Sequence, residues 1–258
     1  FVHAYENGIT PNPCIDCNRY LKFDKLYMRA KELDRDYVVT GHYARVEKDG
    51  NGRFLLKKAL DDTKDQSYVL YCLTQEQLSH TIFPLGEMRK SQAREIAESQ
   101  GFINARKADS QDICFVQNGG YADFIEQYTG KNYPDGDFLD TNGNVIGRHK
   151  GVIRYTVGQR KGLGISAPEP LYVKAVNPVS NTVTLSYNDG LYSSIVKAGD
   201  INLISVPEIN GEMRVKAKVR YRHTEQWATV TQNGDTITAV FDEPQRAVTC
   251  GQALVLYD

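Results

Sequence analysis

The pattern of the chain changes near residue 120, and that change limits the possible folds more than any single motif. Before it, helical spacing alternates with short apolar runs. Phe23, Leu26, Tyr27, Ala30 and Leu33 recur at helical spacing, with Arg19, Lys22, Lys25, Arg29 and Lys31 mostly between them. Tyr37-Val38-Val39-Thr40 then reads as a buried-type strand. Ala44-Arg45-Val46 and Phe54-Leu55-Leu56 flank Asn51-Gly52 as a hairpin. Thr74 and Gln77 form a capping box, and Lys90 to Gln100 reads as a helix ended by Gly101. Helix-then-strand alternation predicts a parallel α/β sheet, whose ligands bind outside the carboxyl ends of its strands, here at Gly41-His42-Tyr43. Tyr121 to Tyr128 is a last helix, and from there the chain is almost all short strands and turns. The expected fold class is α/β followed by all-β.

Ahead of the first helix stands Thr10-Pro11-Asn12-Pro13-Cys14-Ile15-Asp16-Cys17-Asn18. Its prolines fix φ near −65° and keep the residues before them out of the α region, so a stiff extended loop is expected to deliver Cys14 and Cys17 to one helix mouth. A thiol there sees the positive end of the helix dipole, which suits a reactive thiolate and equally half of a zinc site. Five cysteines in all, an odd number at irregular spacing, argue against a disulfide scaffold and for a reducing, cytoplasmic setting. Cys72 reads as a core residue; Cys114, polar on one side and apolar on the other, reads from spacing alone as an ordinary buried thiol. No apolar run approaches the roughly 18 residues of a membrane span. Phe1 to Glu6 is no signal peptide and starts without Met, so a fragment is expected.

Net charge is −1, so any nucleic-acid partner must be met by local patches. Two are present. Arg148, Lys150, Arg154, Arg160 and Lys161 stand in a glycine-rich stretch without an acid. Arg214, Lys216, Lys218, Arg220 and Arg222 alternate with Val215, Ala217, Val219 and Tyr221, which puts five cations on one strand face. A solvated sheet face explains the second equally well, but the pair together suits RNA phosphates.

Asn12-Pro13-x-x-x-Cys17-Asn18, Thr40-Gly41-His42-Tyr43, Lys64-Asp65-Gln66-Ser67-Tyr68, Asp109-Ser110-x-Asp112-Ile113-Cys114-Phe115 and Gly158-Gln159-Arg160-Lys161-Gly162-Leu163-Gly164 resemble, in order, the motifs of the tRNA-specific 2-thiouridylase (MnmA/TrmU) family. The resemblance covers essentially the whole chain. It implies the C-terminal part of an adenine-nucleotide α-hydrolase-like (PP-loop) α/β domain over 1–119, a small mainly-β central tRNA-binding domain over 120–190 and a C-terminal β-barrel over 191–258. It implies ATP-dependent 2-thiolation of the wobble uridine of tRNA, with ATP and magnesium as cofactors and a persulfide-donating carrier protein or cysteine desulfurase as sulfur source. Carried over residue by residue, Cys17 resembles the nucleophile, Cys114 the persulfide carrier and Gly41 an ATP contact. Asn12, Pro13 and Cys14 resemble the target-base loop; His42, Lys64, Asp65, Gln66, Arg220, Tyr221 and Gln252 resemble tRNA contacts.

Two features depart from the family. Its phosphate loop, Ser-Gly-Gly-x-Asp-Ser, is absent from these residues, so the chain as given is expected to be inactive alone, a tRNA-binding module being the alternative. Some relatives carry Asp at the position of Cys14, and an iron–sulfur cluster on Cys14, Cys17 and Cys114 competes with the persulfide route.

Overall fold

A computed structural model describes residues 1–107, 113–116 and 119–258. Packing divides it into two compact units: Pro13–Gln111 with Asp200–Asn210, and Phe1–Asn12 with Asp112–Gly199 and Gly211–Asp258.

The first unit opens on a helix whose hydrogen bonding changes register. Pro13–Asp16 is α-helical, Cys17–Lys25 is π-helical and Leu26–Glu32 is α-helical again. The buried positions explain this: Ile15, Asn18, Phe23, Tyr27 and Ala30 step by three, five, four and three. The five-residue step is the spacing of an i→i−5 bond, and Leu26 N–H bonds Leu21 O in that register. Phe23, Tyr27 and Ala30 face inward as the spacing predicts, whereas Leu26 and Leu33 are about half exposed. Val38–Val39 pairs in parallel with Thr81–Ile82, and Ala44–Lys48 pairs antiparallel with Phe54–Lys58. The Thr74–Gln77 capping box opens the helix Gln75–Ser79. The 200–210 segment is tied in through main-chain carbonyls: Arg53 donates to Leu203, Ile204 and Val206 O at 2.7, 2.5 and 2.9 Å, and Asn202 Nδ2 donates to Tyr71 and Leu73 O at 2.6 and 2.9 Å.

In the second unit, helices Val2–Glu6 and Tyr121–Thr129 share a core of Tyr5, Ala122, Ile125 and Ile153. A four-stranded sheet runs in the order Val145–His149, Gly136–Leu139, Thr182–Ser186, Tyr172–Asn177, its middle pairing parallel. It is sealed by Phe138, Val152, Tyr155, Leu163, Val173, Val183 and Leu185. A five-stranded antiparallel sheet follows, in the order Val255–Tyr257, Met213–Lys218, Gln226–Asn233, Thr236–Arg246, Tyr192–Ala198. Val215, Ala217, Ala228, Val230, Ala239 and Phe241 are its buried face, as period-two alternation requires. The architecture is α/β followed by all-β.

Both basic stretches differ from their sequence reading. Met213–Lys218 is the whole of the strand, and Arg220 begins a turn closed by His223 N–H on Arg220 O at 3.1 Å, so the five cations do not share one strand face. Arg214 makes a bidentate ion pair with Asp242 and lies over the Trp227 ring, and Lys218 meets Glu225 at 3.5 Å. In the glycine-rich stretch, acids distant in sequence neutralise three cations. Arg148 pairs with Asp137 at 2.9 Å, Lys150 with Asp135 at 2.9 Å, and Arg154 with Asp123 at 3.0 Å and Glu126 at 2.8 Å. Arg160 and Lys161 are exposed and form no ion pair among the described residues.

Candidate active site

The two motif thiols of the first unit, Cys14 and Cys17, lie in the helix itself. Pro13 is its first residue, where a missing N–H costs nothing, so Cys14 and Cys17 occupy the first two turns rather than an extended loop before the helix. Cys14 is exposed and Cys17 is partly exposed. Asn18, only 2% exposed, anchors this end: its Nδ2 donates to Val69 O at 2.9 Å. Cys72 is buried beside it, its Sγ 3.9 Å from Ile15 O, and burial pushes its thiol up from the ordinary cysteine range. Cys72 is therefore the core thiol the sequence predicts, while Cys14 and Cys17 remain open to reagents.

Gly41 and His42 follow the parallel strand Val38–Val39. A Cβ at Gly41 would meet only Leu85 Cδ1, at 3.7 Å, so open space flanks an exposed backbone. His42 is 7% exposed and its ring lies 5.8 Å from both the Phe23 and Phe83 rings. Lys22 Nζ donates to Nε2 at 3.3 Å. A lysine ammonium only donates, so Nδ1 carries the proton and donates to Thr40 Oγ1 at 2.8 Å. Burial, with the Lys22 charge added, lowers the His42 pKa to about 4, and the ring is neutral at pH 7. Sequence reading quotes Asn18 and Thr40 only as parts of motifs and gives no role to either or to Lys22; the five-residue step between Asn18 and Phe23 comes from burial in the structure, since a polar Asn18 gives no hydrophobic-spacing signal.

In the Lys64-Asp65-Gln66 turn, the Asp65 and Gln66 side chains bond back to the protein. Asp65 accepts from Ala59 N at 3.0 Å and from Ser67 Oγ at 2.6 Å, and Gln66 Oε1 accepts from Tyr43 N at 3.0 Å. Lys64 N–H closes the turn on Asp61 O at 3.0 Å.

The remaining candidates belong to the second unit. Cys114 lies in a turn closed by Val116 N–H on Ile113 O at 3.0 Å, and it is exposed, not buried as spacing alone suggests. The neighbouring Phe115 packs edge-on to Phe1 at 5.1 Å. Asp109, Ser110 and Asp112 of the same motif lie outside the described residues. Arg220 Nη2 donates to Arg246 O at 3.2 Å, and Tyr221 is 39% exposed. Gln252 Nε2 donates to Thr10 O at 2.8 Å, and Asn12, half-buried, ends this segment. None of the five cysteines forms a disulfide. Among the described residues, no three His, Cys, Asp or Glu side chains gather as a metal site, and no helix is long and apolar enough to cross a membrane.

The profile of the tRNA methyl transferase HUP domain matches residues 1–118, that of the tRNA methyl transferase PRC-barrel domain 122–187, and that of the aminomethyltransferase beta-barrel domain 193–258. A tRNA-specific 2-thiouridylase MnmA of Clostridioides difficile (strain 630) is 48% identical over 260 residues, spanning 100% of this chain and 72% of the relative. One of Lachnoclostridium phytofermentans is 49% identical over 258 residues, again 100% of this chain and 72% of the relative. One of Acidobacterium capsulatum is 48% identical over 269 residues with the same coverage. With identity of this order sustained along its whole length, the chain belongs to the tRNA-specific 2-thiouridylase family.

Proposed function

We propose that this chain, as part of a full-length protein that supplies the phosphate loop, serves the ATP-dependent 2-thiolation of the wobble uridine in tRNA, with Cys17 and Cys114 carrying the sulfur chemistry, and that it is inactive alone. The observation that supports these residues is accessibility: Cys14 and Cys114 are exposed and Cys17 is partly exposed, as a sulfur-transfer thiol must be, while Cys72 is buried; Cys250 is exposed too, and the family motifs, not exposure, set 17 and 114 apart from it. Sulfur transfer needs a soft nucleophile that reagents can reach.

The O2 carbonyl of uridine is a poor electrophile with an oxide leaving group. ATP, when bound, supplies the adenylate that makes that oxygen a leaving group. Gly41 fits one wall of a nucleotide site, since its exposed backbone lies at the carboxyl end of a parallel strand with open space beside it. A donor protein delivers sulfane sulfur to Cys114 as a persulfide. Its terminal sulfur attacks C2 and displaces AMP, leaving C2 bonded through two sulfurs to Cys114. The Cys17 thiolate then attacks the Cys114 sulfur, the S–S bond breaks, and the electron pair leaves on the sulfur attached to C2. The sulfane sulfur is reduced, the two thiols are oxidised to a disulfide, and a dithiol reductant resets them. In the other order, Cys17 first releases hydrosulfide from the persulfide, and hydrosulfide displaces AMP with the same electron count. An iron–sulfur cluster on Cys14, Cys17 and Cys114 is the competing route, and it is tested below.

The neutral His42 is suited to hold Lys22 and not to carry charge to a phosphate. Base extrusion from the anticodon stack and a grip on phosphates complete the reading. Mass spectrometry of tRNA from cells lacking the gene tests it: loss of 2-thiouridine, restored by the full-length protein, is expected, and unchanged 2-thiouridine refutes it. Iron analysis and visible spectra of anaerobically purified protein test the cluster alternative; a colourless, iron-free, fully active protein eliminates it.

A further inference from the structure

The π-helical register of Cys17–Lys25 sorts the side chains of the thiol helix. In an α-helix, residues five apart stand about 140° apart around the axis, on different sides. Where the bonds run i→i−5, a residue five further on lies close to one full turn above, on the same side. Asn18 and Phe23 show this: five apart, they are both buried, at 2% and 1% exposure. Cys17 and Lys22 repeat the step one position earlier, so they too share a side, next to the buried strip, and both are partly exposed. The far end of Lys22 is held within the same unit. Its Nζ donates to His42 Nε2 at 3.3 Å, and His42 follows Gly41 at the carboxyl end of Val38–Val39. A nitrogen that accepts this bond carries no proton on that side, so the partner is a neutral ring, walled by Phe23 and Phe83 at 5.8 Å each. Among the described residues no carboxylate pairs with Lys22. Partial burial of an ammonium costs desolvation that a neutral acceptor returns only in part. The apolar flank also lowers the local dielectric and strengthens the pull on an anion. Lys22 is thus a cation held in place with its charge left over.

The chemistry selects the anion. In the activated uridine the phosphorus of the leaving group is joined to C2 through O2 alone, and Cys17 acts on sulfur bound for that same carbon. A cation on the Cys17 side of the helix therefore stands on the side where the leaving phosphate must be. The backbone of tRNA carries the same group as a diester. We propose that Lys22 is a phosphate-binding residue of this site, set on the Cys17 side by the π register and held at the Gly41 strand end by His42. The proposal rests on the thiolation reading for the identity of the reacting phosphate.

The test compares wild-type full-length protein with Lys22→Met, which removes the ammonium and keeps the stem, and with Lys22→Arg, which restores a cation. One arm measures AMP affinity by calorimetry without tRNA; the other measures tRNA affinity against salt by filter binding without nucleotide. Neither arm depends on turnover. Protection of buried Cys72 from iodoacetamide is the control for folding. A nucleotide phosphate on Lys22 should make AMP binding about ten- to a hundredfold weaker in Lys22→Met, as loss of a charge-assisted hydrogen bond does, with most of it recovered in Lys22→Arg. A backbone phosphate of tRNA should leave AMP affinity alone and reduce the slope of log affinity against log salt by about 1. Either result supports phosphate binding and identifies its source; both arms unchanged in folded Lys22→Met overturn it. If wild type makes 2-thiouridine while both arms stay unchanged, this inference alone falls. If one arm responds and wild type makes none, phosphate binding stands and the thiolation reading falls. Should Lys22→Met expose Cys72, Lys22→Gln, which keeps an N–H donor and removes the charge, decides on the same two arms.

Discussion

Replacing His42 with Gln tests whether that histidine is a buried neutral strut. Gln can accept from Lys22 and donate to Thr40, so it keeps both hydrogen bonds of the ring in kind while removing its titration. The ordinary histidine pKa is about 6.5, and burial brings it to about 4 in the folded protein. Because the folded value is depressed, the stability contributed by the neutral ring is complete above pH 6.5 and is lost as pH falls toward 4. Between those values the unfolded chain binds one more proton than the native one. Integrating from pH 7.5 to pH 5 gives a loss of about 2 kcal/mol from this one group. His149 and His223 also have lowered values, but they are common to both proteins and cancel in the difference. The assay is urea denaturation followed by circular dichroism at both pH values. Wild type should lose about 2 kcal/mol more than His42→Gln on acidification. An equal pH response in the two proteins would show that the ring titrates alike folded and unfolded, and the burial argument would fail.

Cys17→Ser and Cys114→Ser should each abolish thiolation while leaving tRNA affinity nearly unchanged, measured by tRNA mass spectrometry and filter binding; wild-type activity in either variant refutes the assignment. Removing Arg160 and Lys161 together should reduce the slope of log affinity for tRNA against log salt by about 2, whereas Arg154→Met, already paired twice with acids, should leave it alone. Gly86→Ala should prevent stable folding of the first unit, because its Cβ would overlap the Ala44 carbonyl oxygen and stand 2.8 Å from the Ala44 carbonyl carbon, both backbone atoms that cannot yield; a soluble variant with wild-type melting behaviour would refute the packing argument.

What could be read from the sequence follows the range of the interactions involved. The hairpin at Asn51-Gly52, the Thr74–Gln77 cap and the burial of Cys72 depend on neighbours within a few residues, and each is found. The start of the thiol helix was legible in principle, since Pro favours a first helical position as readily as it breaks a later one, and the choice turned on Asn18 finding Val69 O, 51 residues away. The π register was not legible, because the step that carries it starts at polar Asn18, which is buried through a hydrogen bond 51 residues away.

The basic runs show why local charge misleads about binding. A stretch free of acids looks like an RNA surface, yet folding brings Asp123, Glu126, Asp135 and Asp137 onto Arg154, Lys150 and Arg148. Exposed pairs of this kind contribute little stability, about 0–1 kcal/mol each, but they cancel charge that would otherwise attract phosphate. Their effect is selective. In that stretch they leave the Gly158–Gly164 motif, through Arg160 and Lys161, as the place where cations remain uncompensated by described acids. On the proposed reading, attraction for a polyanion is thereby concentrated at a glycine-rich turn and withdrawn from the strand before it, which the Arg160 and Lys161 salt-slope experiment tests. A uniformly basic surface would hold any nucleic acid; cancelled charge with a small remainder requires the partner to present a phosphate where that turn stands.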